Sequence, residues 1–252
     1  MKKNQLGATL IVVLMLLIAI TLVGVLAVRQ STVSLGIATN SQVQQLLTQN
    51  SDATFFQVAD VNQLALNLSQ LGMFGQKDQD RDKGKEVVFC YRGDKDEFFN
   101  PDNYSVIEWL EGSNSPKNDS NGTSGYCKVS TSENFFTSGR KAVMTQIAIK
   151  YMGEVIEEKF KYTAEGVDEQ TAKVLPAKKV NVYSISLMPS LSGASASAVN
   201  KCLSEHMVEV TPPEDSMKDL PAGQSISQCL EALNVPYTAQ VTEFLIEQRY
   251  VD

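Results

Sequence analysis

The sequence predicts an α+β protein in which one long N-terminal helix packs on an antiparallel β-sheet and a helical segment follows. Three observations lead to this fold class. An uncharged run covers residues 4–28, no proline interrupts the chain as far as Leu71, and short alternating runs with turn residues between them follow Gly72. Apolar residues at three- and four-residue spacing are typical of helices, whereas strict alternation is typical of strands.

The N-terminal run has the length and composition of a membrane span. Lys2 and Lys3 precede it and Arg29 ends it. The strongly apolar part, residues 8–28, would be about 31 Å long as a helix, which is enough to cross a bilayer. Two lysines ahead of the span favour a cytoplasmic N-terminus, so we expect the rest of the chain on the far, oxidising side.

Gly7 lies between the basic start and the apolar run. A secretory signal has a shorter apolar core, which is followed by a cleavage site of small residues. The apolar core of this segment is too long for such a signal. The stretch GATLIVVLMLLIAITLVGVLAVRQS resembles the N-terminal region of the PilX family of type IV minor pilins, and more distantly that of the tip pseudopilin GspK. The alternative from the residues alone is a plain signal anchor.

The resemblance implies how this segment is processed. Residues 1–7 would be a leader that prepilin peptidase removes after Gly7, and Ala8 would become the methylated N-terminus of the mature protein. The apolar helix would be retained. The resemblance also implies a pilin-like fold, with the long helix on an antiparallel sheet.

Val12 departs from the pattern of most pilins, which carry a glutamate at this fifth mature position. A carboxylate inside a bilayer costs roughly 2.5–3.5 kcal/mol on insertion scales, so a family keeps one there only for a purpose. In pilins that purpose is thought to be attraction to the N-terminal amine of the preceding subunit. A subunit at the filament tip has no subunit ahead of it, so Val12 favours a tip or priming role. The alternative is a peripheral minor subunit that tolerates valine.

The helix is predicted to continue to about residue 71. Val61, Leu64, Leu68 and Leu71 follow helical spacing, and Gly72 is a plausible stop. The predicted organisation is a leader at 1–7, a membrane or filament-core half-helix at 8–28, a periplasmic half-helix at 29–72, a β-rich head at 73–189 and a mostly helical C-terminal segment at 190–252.

The head is predicted to contain short antiparallel strands separated by turns. A hairpin is predicted around Met152 and Gly153, a flexible loop at residues 112–125, and a linker at residues 190–197. The predicted strands are residues 86–92, 104–110, 125–130, 142–152, 155–164 and 179–187.

Two helices are predicted in the C-terminal segment. Ser225 can cap one that ends near Leu233, and Thr238 another that ends near Tyr250. Val241, Phe244 and Leu245 give the second an apolar face. This face either packs on the sheet or docks another minor pilin or a tip adhesin.

Four cysteines, Cys90, Cys127, Cys202 and Cys229, form an even set without CxxC spacing. In an exported protein they predict two disulfides, for which the sequence allows three connectivities. Sequential pairing fits the local spacing best. The alternative is a thiolate metal site assisted by His206.

Asp78, Asp80 and Asp82 resemble the start of a calcium loop. An EF-hand requires glycine at its sixth position and glutamate at its twelfth, where this chain has Lys83 and Phe89. We therefore expect a solvated turn and no resident cofactor, with calcium binding as the alternative.

Charge and motif content exclude several function classes. Residues 1–76 carry a net charge of +1 and residues 77–252 carry −8, so the acidic part lacks the basic stripe that nucleic acid requires. The chain has a single histidine and no GxSxG motif, and we predict that it is not an enzyme.

The leading prediction is therefore a PilX-like minor pilin that helps to start or cap a type IV pilus. Its expected partners are prepilin peptidase, the inner membrane before assembly, other minor pilins and a tip adhesin. Its expected location is the inner membrane with a periplasmic head, and then the pilus tip. The alternatives are a GspK-like tip pseudopilin of type II secretion and a signal-anchored periplasmic binding domain.

Overall fold

The computed structural model describes residues 8–69, 72–75, 84–92, 98–110, 113–135, 142–155, 177–210 and 225–246. The chain divides into two compact units, residues 1–45 and residues 46–252. The first unit contains most of helix α1, Ala8–Val58. The second unit contains the end of α1 and every other element.

Helix α1 is apolar enough over its N-terminal part to cross a membrane. Its most apolar window of 18 residues has a mean hydropathy of 3.2, and none of that window is buried. The side chains of residues 9–42 are all exposed. These turns contain no proline, so every main-chain N–H is available for the helix. Leucine, isoleucine, alanine and valine are all compatible with a helix, so no charged pairs are needed to maintain it.

The predicted single helix at residues 8–71 is interrupted in the structure. α1 ends at Val58, and a separate helix α2 spans Val61–Leu68. The Asp60 carboxylate accepts the Asn62 N–H at 2.9 Å, so Asp60 is the N-cap of α2. An aspartate that bonds its own following backbone competes with helix continuation, which explains the break.

The sheet has six strands, all antiparallel to their neighbours, in the order β3-β2-β1-β4-β5-β6. The predicted fold class, a helix with an antiparallel sheet and C-terminal helices, is confirmed. The strands are β1 Glu86–Tyr91, β2 Ser105–Glu108, β3 Lys117–Asn118, β4 Met144–Val155, β5 Ala177–Leu187 and β6 Tyr237–Ile246.

The predicted hairpin at Met152 and Gly153, the predicted strand at residues 125–130 and the predicted loop at residues 112–125 differ from the structure. β4 continues through the predicted turn at Gly153 with a register shift between Tyr151 and Gly153, so the glycine marks a β-bulge and not a hairpin. Residues 125–130 form no strand, and the predicted loop contains β3. Most of the predicted strand at residues 155–164 lies outside the described residues.

The predicted helix that begins at Thr238 is wrong. Residues 237–246 form β6, which pairs with β5 over its whole length. Valine, threonine, phenylalanine and isoleucine favour strands, and β5 offers an edge that satisfies their backbone groups. The spacing of Val241, Phe244 and Leu245 that suggested a helix also fits a strand that has apolar residues on both of its faces.

The core lies on both faces of the sheet. On one face the last turns of α1 pack through Val58, and the buried Ser51 hydroxyl donates to the Ser184 carbonyl at 3.3 Å. On the other face lie two further helices, α3 Ala196–Glu205 and α4 Ile226–Ala232. Their buried residues pack against Ile185 and Leu187 of β5.

Side-chain caps set the starts of these two helices. Ser195 accepts the Ala198 N–H at 3.2 Å at the start of α3. Ser225 and Gln228 form a reciprocal capping box at the start of α4. The predicted helix capped by Ser225 is therefore present, and it ends one residue before Leu233.

Candidate functional site: the apolar N-terminal helix and the buried head cluster

The apolar half of α1 has no charged side chain between Ala8 and Val28. One of its two threonines is satisfied within the helix, since the Thr21 hydroxyl donates to the Ile18 carbonyl at 2.8 Å. Thr32 and Thr39 make the same kind of bond further along. A helix whose hydroxyls bond its own carbonyls can lie in lipid without unsatisfied polar groups.

Val12 lies in the first turns of α1 with 58% of its surface exposed. The first turn of the helix contains no acidic residue. Gly7 lies outside the described residues, and Ala8 is the first described residue of α1. Cleavage between Gly7 and Ala8 and methylation of Ala8 therefore stay predictions.

All four cysteines are paired, Cys90 with Cys127 and Cys202 with Cys229. These pairs have the sequential connectivity that fitted the local spacing best. The first bond joins β1 to the end of the loop that follows β3, and the second joins α3 to α4. The structure therefore provides no free thiolate for the alternative metal site.

No group of three histidine, cysteine, aspartate or glutamate side chains that could hold a metal occurs within the described ranges. Asp78, Asp80 and Asp82 lie outside those ranges. Calcium binding by these aspartates therefore stays an untested alternative.

A buried glutamine connects the two disulfide-linked regions. Gln146 of β4 accepts the Cys127 N–H at 3.1 Å and donates to the Leu203 carbonyl of α3 at 3.0 Å. Gln146 is fully buried. Its amide therefore bridges two main-chain groups that the sheet could not otherwise satisfy.

Glu86, the first residue of β1, is a fully buried acid. Its two carboxylate oxygens accept the Val208 N–H at 2.9 Å and the Glu209 N–H at 3.0 Å. Both donors lie in the segment that follows α3. One carboxylate therefore fastens this segment to the sheet.

Lys150 of β4 completes the cluster. Its Nζ donates to the Glu209 main-chain carbonyl at 2.8 Å and lies 3.9 Å from the Glu209 Oε2. The Tyr183 hydroxyl donates to the Glu209 carboxylate, and the Asn181 amide donates to Tyr183 at 3.3 Å. These contacts place two acids, one base and one phenol on a single face of the sheet.

Burial dominates the ionisation of this cluster. Desolvation raises the pKa of Glu86 to about 7, although the two N–H donors and the Lys150 charge favour the carboxylate. Desolvation also lowers the pKa of Lys150, partly offset by Glu86 and Glu209. Burial and the bond to Glu209 raise the pKa of Tyr183.

Sequence reasoning did not identify this cluster. The alternation in β4 places Lys150 on the same face as Gln146, opposite the aliphatic Ile147 and Ile149. These polar residues on one face of a predicted strand were the sequence signal that could have indicated the cluster. The identity of its acidic partner depends on the strand register, which the local sequence does not encode.

The C-terminal apolar residues lie on two faces of β6. Phe244 packs toward the core, with its ring centroid 6.3 Å from that of Phe74. Val241 and Leu245 lie on the opposite face of β6 and are exposed. The strand therefore contributes one face to the core and leaves the other accessible.

An apolar N-terminal helix that can span a membrane, together with an antiparallel sheet and C-terminal helices, defines a pilin-like α+β protein. Residues 7–61 match the family model described as PilX N-terminal. The N-terminal part of the chain is therefore a PilX N-terminal domain, and this match supports a pilin related to the type IV pilus. The comparisons with curated proteins and with solved structures each gave no match.

Proposed function

We propose that the protein is a minor pilin that initiates assembly of a type IV pilus, together with other minor pilins, from a position at or near the filament tip. The match of residues 7–61 to the PilX N-terminal family carries this proposal. Its natural setting is the inner membrane before assembly and the pilus tip afterwards. A role in pilus assembly implies that its loss reduces pilus number and twitching motility.

Val12 supports the tip position. A glutamate at this place in other pilins is thought to attract the N-terminal amine of the preceding subunit. Valine makes no such attraction, because it has neither charge nor hydrogen-bonding group. The subunit least affected by this loss is the one with no predecessor in the filament.

Mass spectrometry tests the pilin assignment itself. The mature protein should lack residues 1–7, begin at Ala8 and carry one methyl group on its N-terminal amine. Cells without prepilin peptidase should retain the full-length chain. Persistence of residues 1–7 in cells with active peptidase would favour a signal anchor instead.

Val12→Glu tests the tip position, with Val13→Glu as the matched control because the two valines are 58% and 57% exposed. Immunogold labelling of sheared pili should show wild-type protein at one filament end. Val12→Glu should move label onto the shaft, whereas Val13→Glu, which adds the same insertion cost, should not. Wild-type label spread along the shaft would contradict the tip position.

Deletion of the gene separates the pilus from the secretion machinery. Loss of pili and twitching with normal exoprotein secretion is expected. Loss of secretion with normal piliation would favour the GspK-like pseudopilin.

A further inference from the structure

The turn that follows β3 contains the pair Asn121 and Gly122. No other asparagine of the chain precedes a glycine. Asn121 is exposed, and Gly122 has a φ of 74°. A β-carbon built at Gly122 would meet nothing within 4 Å in the described structure, so the space beside this glycine is open.

An asparagine that precedes a glycine can react with its own main chain. The main-chain nitrogen of the glycine attacks the side-chain carbonyl carbon, a succinimide ring closes through the new C–N bond, and the side-chain nitrogen leaves as ammonia. Water then opens the ring at either carbonyl and gives aspartate or isoaspartate. Glycine permits this attack best, because it has no β-carbon beside the nitrogen and allows the chain many conformations.

Two hydrogen bonds hold this turn, and Asp119 accepts both. The Asn121 N–H donates to the Asp119 Oδ1 at 2.9 Å, and the Gly122 N–H donates to the Asp119 carbonyl at 3.2 Å. The second bond restrains the attacking nitrogen, and its length is at the long end of the range for N–H···O bonds. The described part of the chain gives the Asn121 carboxamide no hydrogen bond, so this side chain can turn towards the nitrogen.

Two neighbouring asparagines lack this combination of features. The Asn118 Nδ2 donates to the Ser204 carbonyl at 3.0 Å, and its Oδ1 accepts the Tyr126 hydroxyl. The Asn118 carboxamide is therefore held at both ends, and the residue after it carries a side chain. Asn114 is exposed, but the residue after it is a serine. Of these three asparagines, Asn121 is the one with an exposed, unrestrained carboxamide and a following glycine.

We propose that Asn121 is a site of spontaneous deamidation, where the Gly122 nitrogen displaces ammonia from the side chain and water completes the conversion to aspartate or isoaspartate. The product adds one negative charge beside Asp119, in the acidic part of the chain that already carries −8. Isoaspartate also lengthens the main chain. Because β3 ends at Asn118 and a disulfide fixes Cys127, the added length lies in the exposed turn between them. The inference goes beyond the proposed function, since the reaction requires only the turn and water.

Peptide mass spectrometry of the full chain, incubated at pH 8 in detergent micelles, tests the inference. Trypsin releases residues 118–128 as one peptide, so fragmentation compares Asn118 and Asn121 in the same molecule. Deamidation should accumulate at Asn121, while Asn118 and Asn114 stay intact. The reaction should be about twofold to tenfold slower than in the same chain in denaturant, because one hydrogen bond must open before the nitrogen can attack.

Variants identify the attacking nitrogen. Gly122→Ala should slow deamidation of Asn121 about tenfold or more, because its methyl group hinders the nitrogen and restricts the main chain. Gly193→Ala is the matched control, since the space beside Gly193 is equally open, and it should leave the rate at Asn121 unchanged. Asn121→Gln should remove the signal from the peptide, because the longer side chain disfavours ring closure.

Three outcomes would overturn the proposal. An intact Asn121 in the folded chain, under conditions where the chain in denaturant reacts, would show that the turn protects it. Equal rates at Asn118 and Asn121 would remove the role of the following glycine. An unchanged rate in Gly122→Ala would show that the Gly122 nitrogen is not the attacking group.

Discussion

Glu86 of β1 and Lys150 of β4 lie directly opposite each other in the sheet, with 0% and 2% of their surfaces exposed. Both also bind the segment that follows α3, Glu86 through the N–H groups of Val208 and Glu209, and Lys150 through the Glu209 carbonyl. A buried acid and base thus hold the C-terminal part of the protein to the centre of the sheet.

The stability of the protein should depend on the protonation of Glu86. Its pKa is raised from 4.5 to about 7, so the folded state holds the proton more tightly than the unfolded chain. The resulting stabilisation is complete below pH 4.5 and is lost as the pH rises through about 7. The shift corresponds to roughly 3 kcal/mol.

Glu86→Gln should remove this dependence, because glutamine is similar in size and does not titrate. Thermal unfolding of the full chain in micelles between pH 4.5 and pH 8 measures it. A wild-type unfolding free energy that is flat over this range, or a variant with the same slope as the wild type, would contradict the prediction.

Lys150→Met should destabilise the protein by about 3–5 kcal/mol at pH 8, because it leaves the Glu86 charge buried without its cation. The loss should be smaller at pH 5, where Glu86 is protonated. Glu86→Gln combined with Lys150→Met should recover part of the stability lost at pH 8.

A matched control for Lys150 is Lys201→Met. Lys201 lies 3.7 Å from Glu205 in an exposed pair on α3, and such pairs contribute little. Denaturant unfolding should show a change of at most about 0.5 kcal/mol for this variant. Equal effects of the two lysine substitutions would show that burial does not govern the cluster.

Each disulfide should stabilise the protein by about 3–4 kcal/mol in the chain-entropy model. The two bonds close loops with sequence separations of 37 and 27 residues, so their contributions should be similar. Unfolding of the variants Cys90→Ser with Cys127→Ser, and Cys202→Ser with Cys229→Ser, measures each one. Reduction of the wild-type protein should reproduce the combined loss.

Gly125→Ala should destabilise the protein by about 1–3 kcal/mol through a steric clash. A β-carbon there would lie 2.4 Å from the Ser105 nitrogen and 2.5 Å from the Val88 oxygen, both main-chain atoms. Gly193→Ala is the control, since a β-carbon at Gly193 meets nothing within 4 Å. Thermal unfolding should separate the two variants, and equal stability would contradict the predicted clash.

Much of the fold could be predicted because its signals are local. The apolar run of α1, the alternation of β4 and β5, and the cap at Ser225 all depend on residues close together in the sequence. β6 was misassigned because Val241, Phe244 and Leu245 satisfy helical spacing as well as a two-faced strand. Pairing with β5 decided between these structures.

The sequence by itself determined the apolar N-terminal helix and the antiparallel character of the sheet. It also showed the resemblance of the segment around Gly7 and Val12 to a pilin. The tertiary structure alone decided that Glu86 faces Lys150, that β6 is a terminal strand and that one of its faces remains exposed. The physical reason is that strand register and side-chain partners depend on contacts between residues far apart in the chain. Helix spans and caps depend instead on neighbouring residues.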